Sequence, residues 1–404
     1  MGELFRGLGK VKSRFIKEMI YGLQARGSSR LTEIARALDE PIELHKTHDR
    51  LCRNLLDSRT RRAIGSYILE DGSRRVKDDT LLIVDTSDIT KKYAWKMEYL
   101  CEVRDGSEGE IGKGYWIGEI VSAEISSSEI TPLAQSIWSQ ESPDFISEND
   151  EIISLIRRVR RKTEGRGVFV IDRGGDRLEL YKELVPKGHR FLIRQCGDRH
   201  LLYRGRKLET RYLADICKLP YAETVVKAKD GKETLCTIEF GYLPVCLPDF
   251  PLVQLFLVVI KGFGAEPLML LTTEPMRKNR KVLWWAVEAY ITRWRIEETI
   301  RFIKQSYQVE DVRVLTYDRL QNLMMLVFAC FFFTAVWLGM KAKHSILALH
   351  VMKAAKCLFG FANFIYYTLA QGIKEILMRV GKGPLLQRGY QATDQPTQLN
   401  LFNY

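Results

Sequence analysis

With 404 residues, 46% of them apolar and 28% charged, the chain can bury a large core and divide into two or three domains, which excludes a disordered or low-complexity protein. A net charge of +12 and a pI near 9.2 point to a polyanionic partner, either nucleic acid or an acidic membrane surface. Eight scattered cysteines without a CxxC pair exclude a disulfide framework and read as reduced thiols of an intracellular protein.

The N-terminal stretch MGELFRGLGKVKSRF lacks the apolar core of a signal peptide, so a cytoplasmic location is expected. Gly2 begins a myristoylation look-alike that fails at Arg6. From Lys12 to about Asp57 the pattern is helical, with Ser29 ahead of a short helix and Pro41 as an interruption. Two short helices around a break suit either a DNA-binding module or a generic helical hairpin. His45, His48 and Cys52 lie close in sequence but lack a fourth zinc ligand.

TLLIVDTSD, residues 80–88, reads as a buried strand ending at Asp85, and GVFVIDRGGD, residues 167–176, repeats the pattern with Asp172. An acid at the end of an apolar run is costly unless it is solvated, paired or bound to a cation. Asp88 and Asp176, three or four residues further on, fit turn or helix capping better. Gly174 and Gly175 allow a tight turn or a close backbone approach. Between the two acids, RDGSEGEIGKG reads as a turn between strands, and ENDEIISLIRRVRRKT, residues 148–163, as a basic amphipathic helix. Beyond Asp172 come a helix over DRLELYKELVPKG, a strand over RFLIRQ, and alternating strands and turns through residues 198–276.

YITRWRIEETIRFIK, Tyr290–Lys304, reads as one helix. At ~100° per residue, Tyr290, Arg293, Glu297 and Lys304 share an arc of roughly 60°. An acid among bases on one face suits a phosphodiester, the acid holding a metal ion and the bases flanking phosphates. A surface helix with i,i+4 ion pairs such as Arg293 with Glu297 has the same pattern. The uncharged run Leu323–Met340 is long enough to span a membrane, and a buried core helix is the preferred reading. The polar segment from residue 381 reads as a flexible tail.

The spacing Y-(2)-R-(3)-E-(6)-K at Tyr290, Arg293, Glu297 and Lys304 resembles the signature of bacterial DDE transposases of the insertion-sequence-four family. Asp85 in IVDTSD and Asp172 in DRGGD resemble the family's first two acids, in the required order, and the likeness covers roughly residues 78–335. It implies an α/β fold, a ribonuclease-H-like mixed sheet with helices on both faces. The implied division is a helical N-terminal region to residue 75, a core over 76–197, a β-rich insertion over 198–280, the rest of the core over 281–380, and the tail.

It further implies that Asp85, Asp172 and Glu297 are catalytic and hold two Mg²⁺ ions, with Mn²⁺ as a substitute, one shared by Asp85 and Asp172 and the other by Asp85 and Glu297. Tyr290, Arg293 and Lys304 would hold the DNA backbone; Trp294 could stack on DNA, although core packing suits its apolar neighbours better. Arg194, Arg204, Arg206, Lys227 and Lys229 are candidates for a DNA clamp on charge alone. The expected activity is cleavage of double-stranded DNA at terminal inverted repeats and joining of the 3′-hydroxyls to target DNA, by a homodimer without a membrane partner. A structure-selective nuclease, a cleavage-dead repressor and a membrane-anchored protein are the alternatives.

Overall fold

The structure, a computed structural model, describes residues 8–380 apart from 105, 107–108, 230–231 and 355–363, so the expected C-terminal tail lies outside the described residues. The unbroken apolar run Leu81–Val84 requires a strand covered on both faces. In β1 (Leu81–Thr90), Leu81 and Ile83 face one hydrophobic cluster while Leu82 and Val84 face the other. β1 pairs antiparallel with β3 (Ile111–Ala123), which carries β2 (Cys101–Arg104) and β4 (Ile130–Trp138) on its far side. On its other edge β1 runs parallel to β5 (Val168–Ile171), and β5 parallel to β6 (Phe191–Arg194). Four antiparallel strands, β1 to β4, joined through β1 to the parallel β5 and β6 form the ribonuclease-H-like core.

The strands expected over residues 198–276 continue this sheet. β12 (Leu268–Thr272) pairs antiparallel with β6, β11 (Phe250–Lys261) with β12, and β10 (Lys232–Leu247) with β11. β9 (Tyr221–Lys229) and the hairpin β7 (His200–Tyr203) and β8 (Arg206–Glu209) finish the far edge. A short helix, α7 (Thr210–Ile216), lies where only strands and turns were expected.

α5 (Glu148–Lys162), α6 (Leu178–Leu184) and α7 cover the Leu82/Val84 face. The ends of α5 are well matched to its dipole: Ser147 accepts from the Asp150 amide at 3.1 Å, acids fill the first turn, and Arg160, Arg161 and Lys162 fill the last. The opposite face carries α8 (Arg280–Thr292), α9 (Trp294–Tyr307) and α10 (Tyr317–Phe332). The N-terminal helices α1 (Lys10–Arg26), α2 (Leu31–Leu38), α3 (Leu44–Asn54) and α4 (Ser58–Ser73) share this cluster. Gln24 donates to the Cys330 carbonyl at 3.0 Å and the Ser29 amide to the Tyr307 carbonyl at 2.8 Å, fastening α1 and its following turn to the core.

The apolar run from Leu323 lies inside the fold: Leu323–Phe332 are buried along α10, ahead of a wider helical turn at Phe333–Trp337. That the helix is apolar all round follows from its position between the sheet and the N-terminal helices.

Candidate active site

Parallel pairing between β1 and β5 ends at Val84 with Ile171, so Asp85 and Asp172 follow the last paired rung of two adjacent strands. Neighbouring strands lie ~4.8 Å apart, which sets the two acids side by side. Asp85 does not end its strand, as the sequence suggests; β1 runs on to Thr90 because its antiparallel pairing with β3 continues there. The Thr86 amide donates to Asp85 Oδ1 at 2.9 Å. After Asp172 the chain turns sharply through Arg173–Gly175, and a Cβ on Gly175 would lie 2.5 Å from Ile171 Cγ2.

The helix expected over Tyr290–Lys304 is two helices, α8 and α9, meeting at Arg293. Bonds from the Arg293 amide to the Tyr290 carbonyl (3.2 Å) and from the Ile296 amide to the Arg293 carbonyl (3.0 Å) tighten the junction. Tyr290 therefore reaches the site from the end of α8, and Glu297 from the first turn of α9. The Tyr290 hydroxyl donates to Asp172 Oδ1 at 3.0 Å, and Arg194 Nη1 stands 3.3 Å from that hydroxyl and 3.7 Å from Asp172 Oδ1.

Arg293 is only 2% exposed and turns inward. Its Nη2 donates to Glu297 Oε1 at 2.6 Å, and its Nη1 lies 3.6 Å from Asp85 Oδ2, an ion pair too long for a hydrogen bond. Nε and Nη1 have no hydrogen-bond partner, and the guanidinium lies 5.4 Å from the Tyr290 ring centroid. Tyr290 is buried too.

Lys304 Nζ lies 3.2 Å from Asp88 Oδ1 and 3.4 Å from Glu310 Oε1. Asp88 is not a cap: it sits buried in mid-strand and accepts from the Thr90 hydroxyl at 2.7 Å. Nor does Asp176 cap α6; it accepts from the Cys196 amide at 2.9 Å and pairs with Arg199. Trp294 is 60% exposed, which overturns core packing for it. Arg194, grouped with the clamp on charge, belongs to the Asp172 end of the site, while Arg204 and Arg206 are exposed on the β7–β8 hairpin.

Burial pushes the Asp85 carboxyl up to about 7, outweighing the pull of Arg293, and the charges of Glu297 and Asp172 push the same way. At Asp172 burial also acts upward, but Arg293, the Arg173 amide, Tyr290 and Arg194 together overcome it and hold the carboxyl below its ordinary value. Glu119, which no sequence motif singles out, faces Asp85 across the β1–β3 ladder. It is fully buried, accepts from Gln135 Nε2 at 2.7 Å, and leaves Oε2 without a partner. Burial pushes it up to about 7, with Asp85 adding to the shift.

Asp85, Asp172, Glu297, Asp88 and Lys304 line one open cleft of about 1030 Å³. Among the described residues no three His, Cys, Asp or Glu side chains form a ready-made metal cage. The donor set is nonetheless all carboxylate, the chemistry that Mg²⁺ and Mn²⁺ prefer, and a guanidinium already supplies positive charge between two of the acids.

No curated protein matches the chain. Among solved structures, a piggyBac transposase synaptic complex with hairpin DNA, determined by cryo-EM, is similar at a TM-score of 0.49 and 10% identity, over 96% of this chain and 76% of that one. The family described as Transposase DDE domain matches residues 77–333, a span that opens just before β1 and closes just after α10 and so takes in Asp85, Asp172 and Glu297. The chain belongs to that family of DDE transposases.

Proposed function

We propose that this transposase, of the insertion-sequence-four branch, cuts double-stranded DNA at the terminal inverted repeats of an insertion sequence and joins the 3′-hydroxyl ends to target DNA, acting as a homodimer. One observation carries the reading: Asp85 and Asp172 follow the last paired rung of two parallel strands, and Arg293 ties Glu297 to the same centre over an open cleft. Three carboxylates from β1, β5 and α9 supply the oxygen ligands for divalent ions, Mg²⁺ or Mn²⁺. Held there, such ions would supply Lewis acidity at the scissile phosphate and a lowered pKa for the attacking hydroxyl or water.

The chain's own groups set the geometry. Tyr290 and Arg194 orient the Asp172 carboxylate from one side, and the Thr86 amide fixes one oxygen of Asp85. Lys304, 20% exposed, lines the cleft and is a cation that can meet a DNA phosphate, and Trp294, at the start of the same helix, is exposed and offers an aromatic face.

Asp85→Asn, Asp172→Asn and Glu297→Gln should each lower divalent-ion-dependent cleavage of an end-bearing duplex by at least ~10³-fold while retaining DNA binding. A wild-type cleavage rate in any one of the three removes that residue from the site. Cleavage without joining of a 3′-hydroxyl to a second duplex would reduce the activity to that of a nuclease.

A further inference from the structure

Arg293 is buried where a surface DNA contact was expected, and what surrounds it is charge rather than a hydrogen-bonding cradle. Arg295, two residues on, provides the contrast: its guanidinium is held by the carbonyl oxygen of Glu124 at 2.8 Å and by those of Ser127 and Ile125. Arg293 makes a hydrogen bond to Glu297 and an ion pair to Asp85, and leaves Nε and Nη1 buried without hydrogen-bond partners. Leaving two donor nitrogens unsatisfied is costly, so the side chain stays inside because of the acids around it. Those acids need it in turn: Asp85 feels the negative charge of both Glu297 and Asp172, and Arg293 pairs with or acts on all three.

We propose that Arg293 is the resident counter-ion of the acidic centre. It competes with divalent cations for Asp85 and Glu297, and so keeps the metal affinity of the DNA-free protein low. The inference rests on the reading of the three acids as a cation site. Arg293 is then a positioning residue: it pairs with two carboxylates, and it must give up at least one of them for the acids to close on an ion. If Arg293 instead served only to hold Glu297 in place, its removal would loosen an acid and weaken cation binding, so the two roles predict opposite signs.

The test is a Mn²⁺ titration of the full-length, DNA-free protein, following free Mn²⁺ by electron paramagnetic resonance. Arg293→Met removes the charge but keeps apolar bulk and should tighten Mn²⁺ binding at least tenfold. The metal-free variant should also melt lower than wild type, with Mn²⁺ recovering most of the difference. Arg293→Lys retains a charge but not the fork that spans two acids; it should bind Mn²⁺ more tightly than wild type and decides the matter if the methionine variant does not fold. Equal or weaker Mn²⁺ binding in the folded variants overturns the role given to Arg293. The same titration on Asp172→Asn separates the two readings. If wild type binds Mn²⁺ and Asp172→Asn does not, the cation site stands whatever Arg293 does; if Mn²⁺ binding ignores Asp172, the cation site fails and this inference with it.

Discussion

Glu119→Gln should make the protein more stable, and by an amount that depends on pH. Glu119 is fully buried on β3, opposite Asp85, with a single hydrogen bond from Gln135 and a bare Oε2. Its folded-state pKa is raised from 4.5 to about 7, chiefly by burial. Between those values the folded state holds a proton that the unfolded chain has released, so stability falls as pH rises from about 4.5 and levels off above about 7.

At ~1.4 kcal/mol per pH unit, the cost of the ionised side chain approaches ~3 kcal/mol at pH 8 and is below ~1 kcal/mol at pH 5. Glutamine has the shape of the protonated acid and avoids that cost. With an unfolding entropy of ~2.1 cal/mol/K per residue, a gain of ~2.5 kcal/mol raises the melting temperature of a chain this long by roughly 3 °C. Melting curves of wild type and Glu119→Gln at pH 5 and pH 8, in chelator to remove divalent ions, measure the difference directly. The same shift at both pH values, or a larger one at pH 5, would refute the argument, because it would mean that Glu119 is ionised or solvated in the folded state.

Lys304→Ala leaves Asp88 buried with the Thr90 hydroxyl and the Gly106 amide as its partners among the described residues, and should cost about 1–3 kcal/mol in chemical denaturation. The same variant should reduce the salt slope of end-DNA binding by about one charge; an unchanged slope would remove Lys304 from the DNA contacts. Gly175→Ala forces a Cβ to within 2.5 Å of Ile171 Cγ2 and 2.9 Å of Ile171 Cβ, and should cost about 1–3 kcal/mol. Because Ile171 directly precedes Asp172, cleavage should fall further than the lost stability explains; wild-type cleavage at a temperature where the variant is folded would show that the turn does not set the acid's position.

What the sequence disclosed about the site depended on the range of the interaction involved. Leu81–Val84 and Val168–Ile171 are unbroken apolar runs because both faces of their strands are covered, so the two strands and the acids that follow them could be read from local pattern. Where β1 stops could not, because it is fixed by pairing with β3 some thirty residues away, which carries the strand five residues past Asp85. The spacing of Tyr290, Arg293, Glu297 and Lys304 identified four residues of one surface and offered the Arg293–Glu297 ion pair, yet it left open that Tyr290 and Arg293 would be buried. The junction at Arg293 and the acids on β1 and β5 decide that, turning two of the four side chains inward, one onto Asp172 and the other onto Asp85 and Glu297. In the sequence Asp88 reads as a cap and Glu119 is not singled out, for the same reason: an acid in a strand looks like a turn or an exposed position until the partner that permits its burial, Lys304 for one and Gln135 for the other, arrives from elsewhere in the chain. Periodicity records which face a residue occupies, whereas the charge it answers to is a property of the assembled fold.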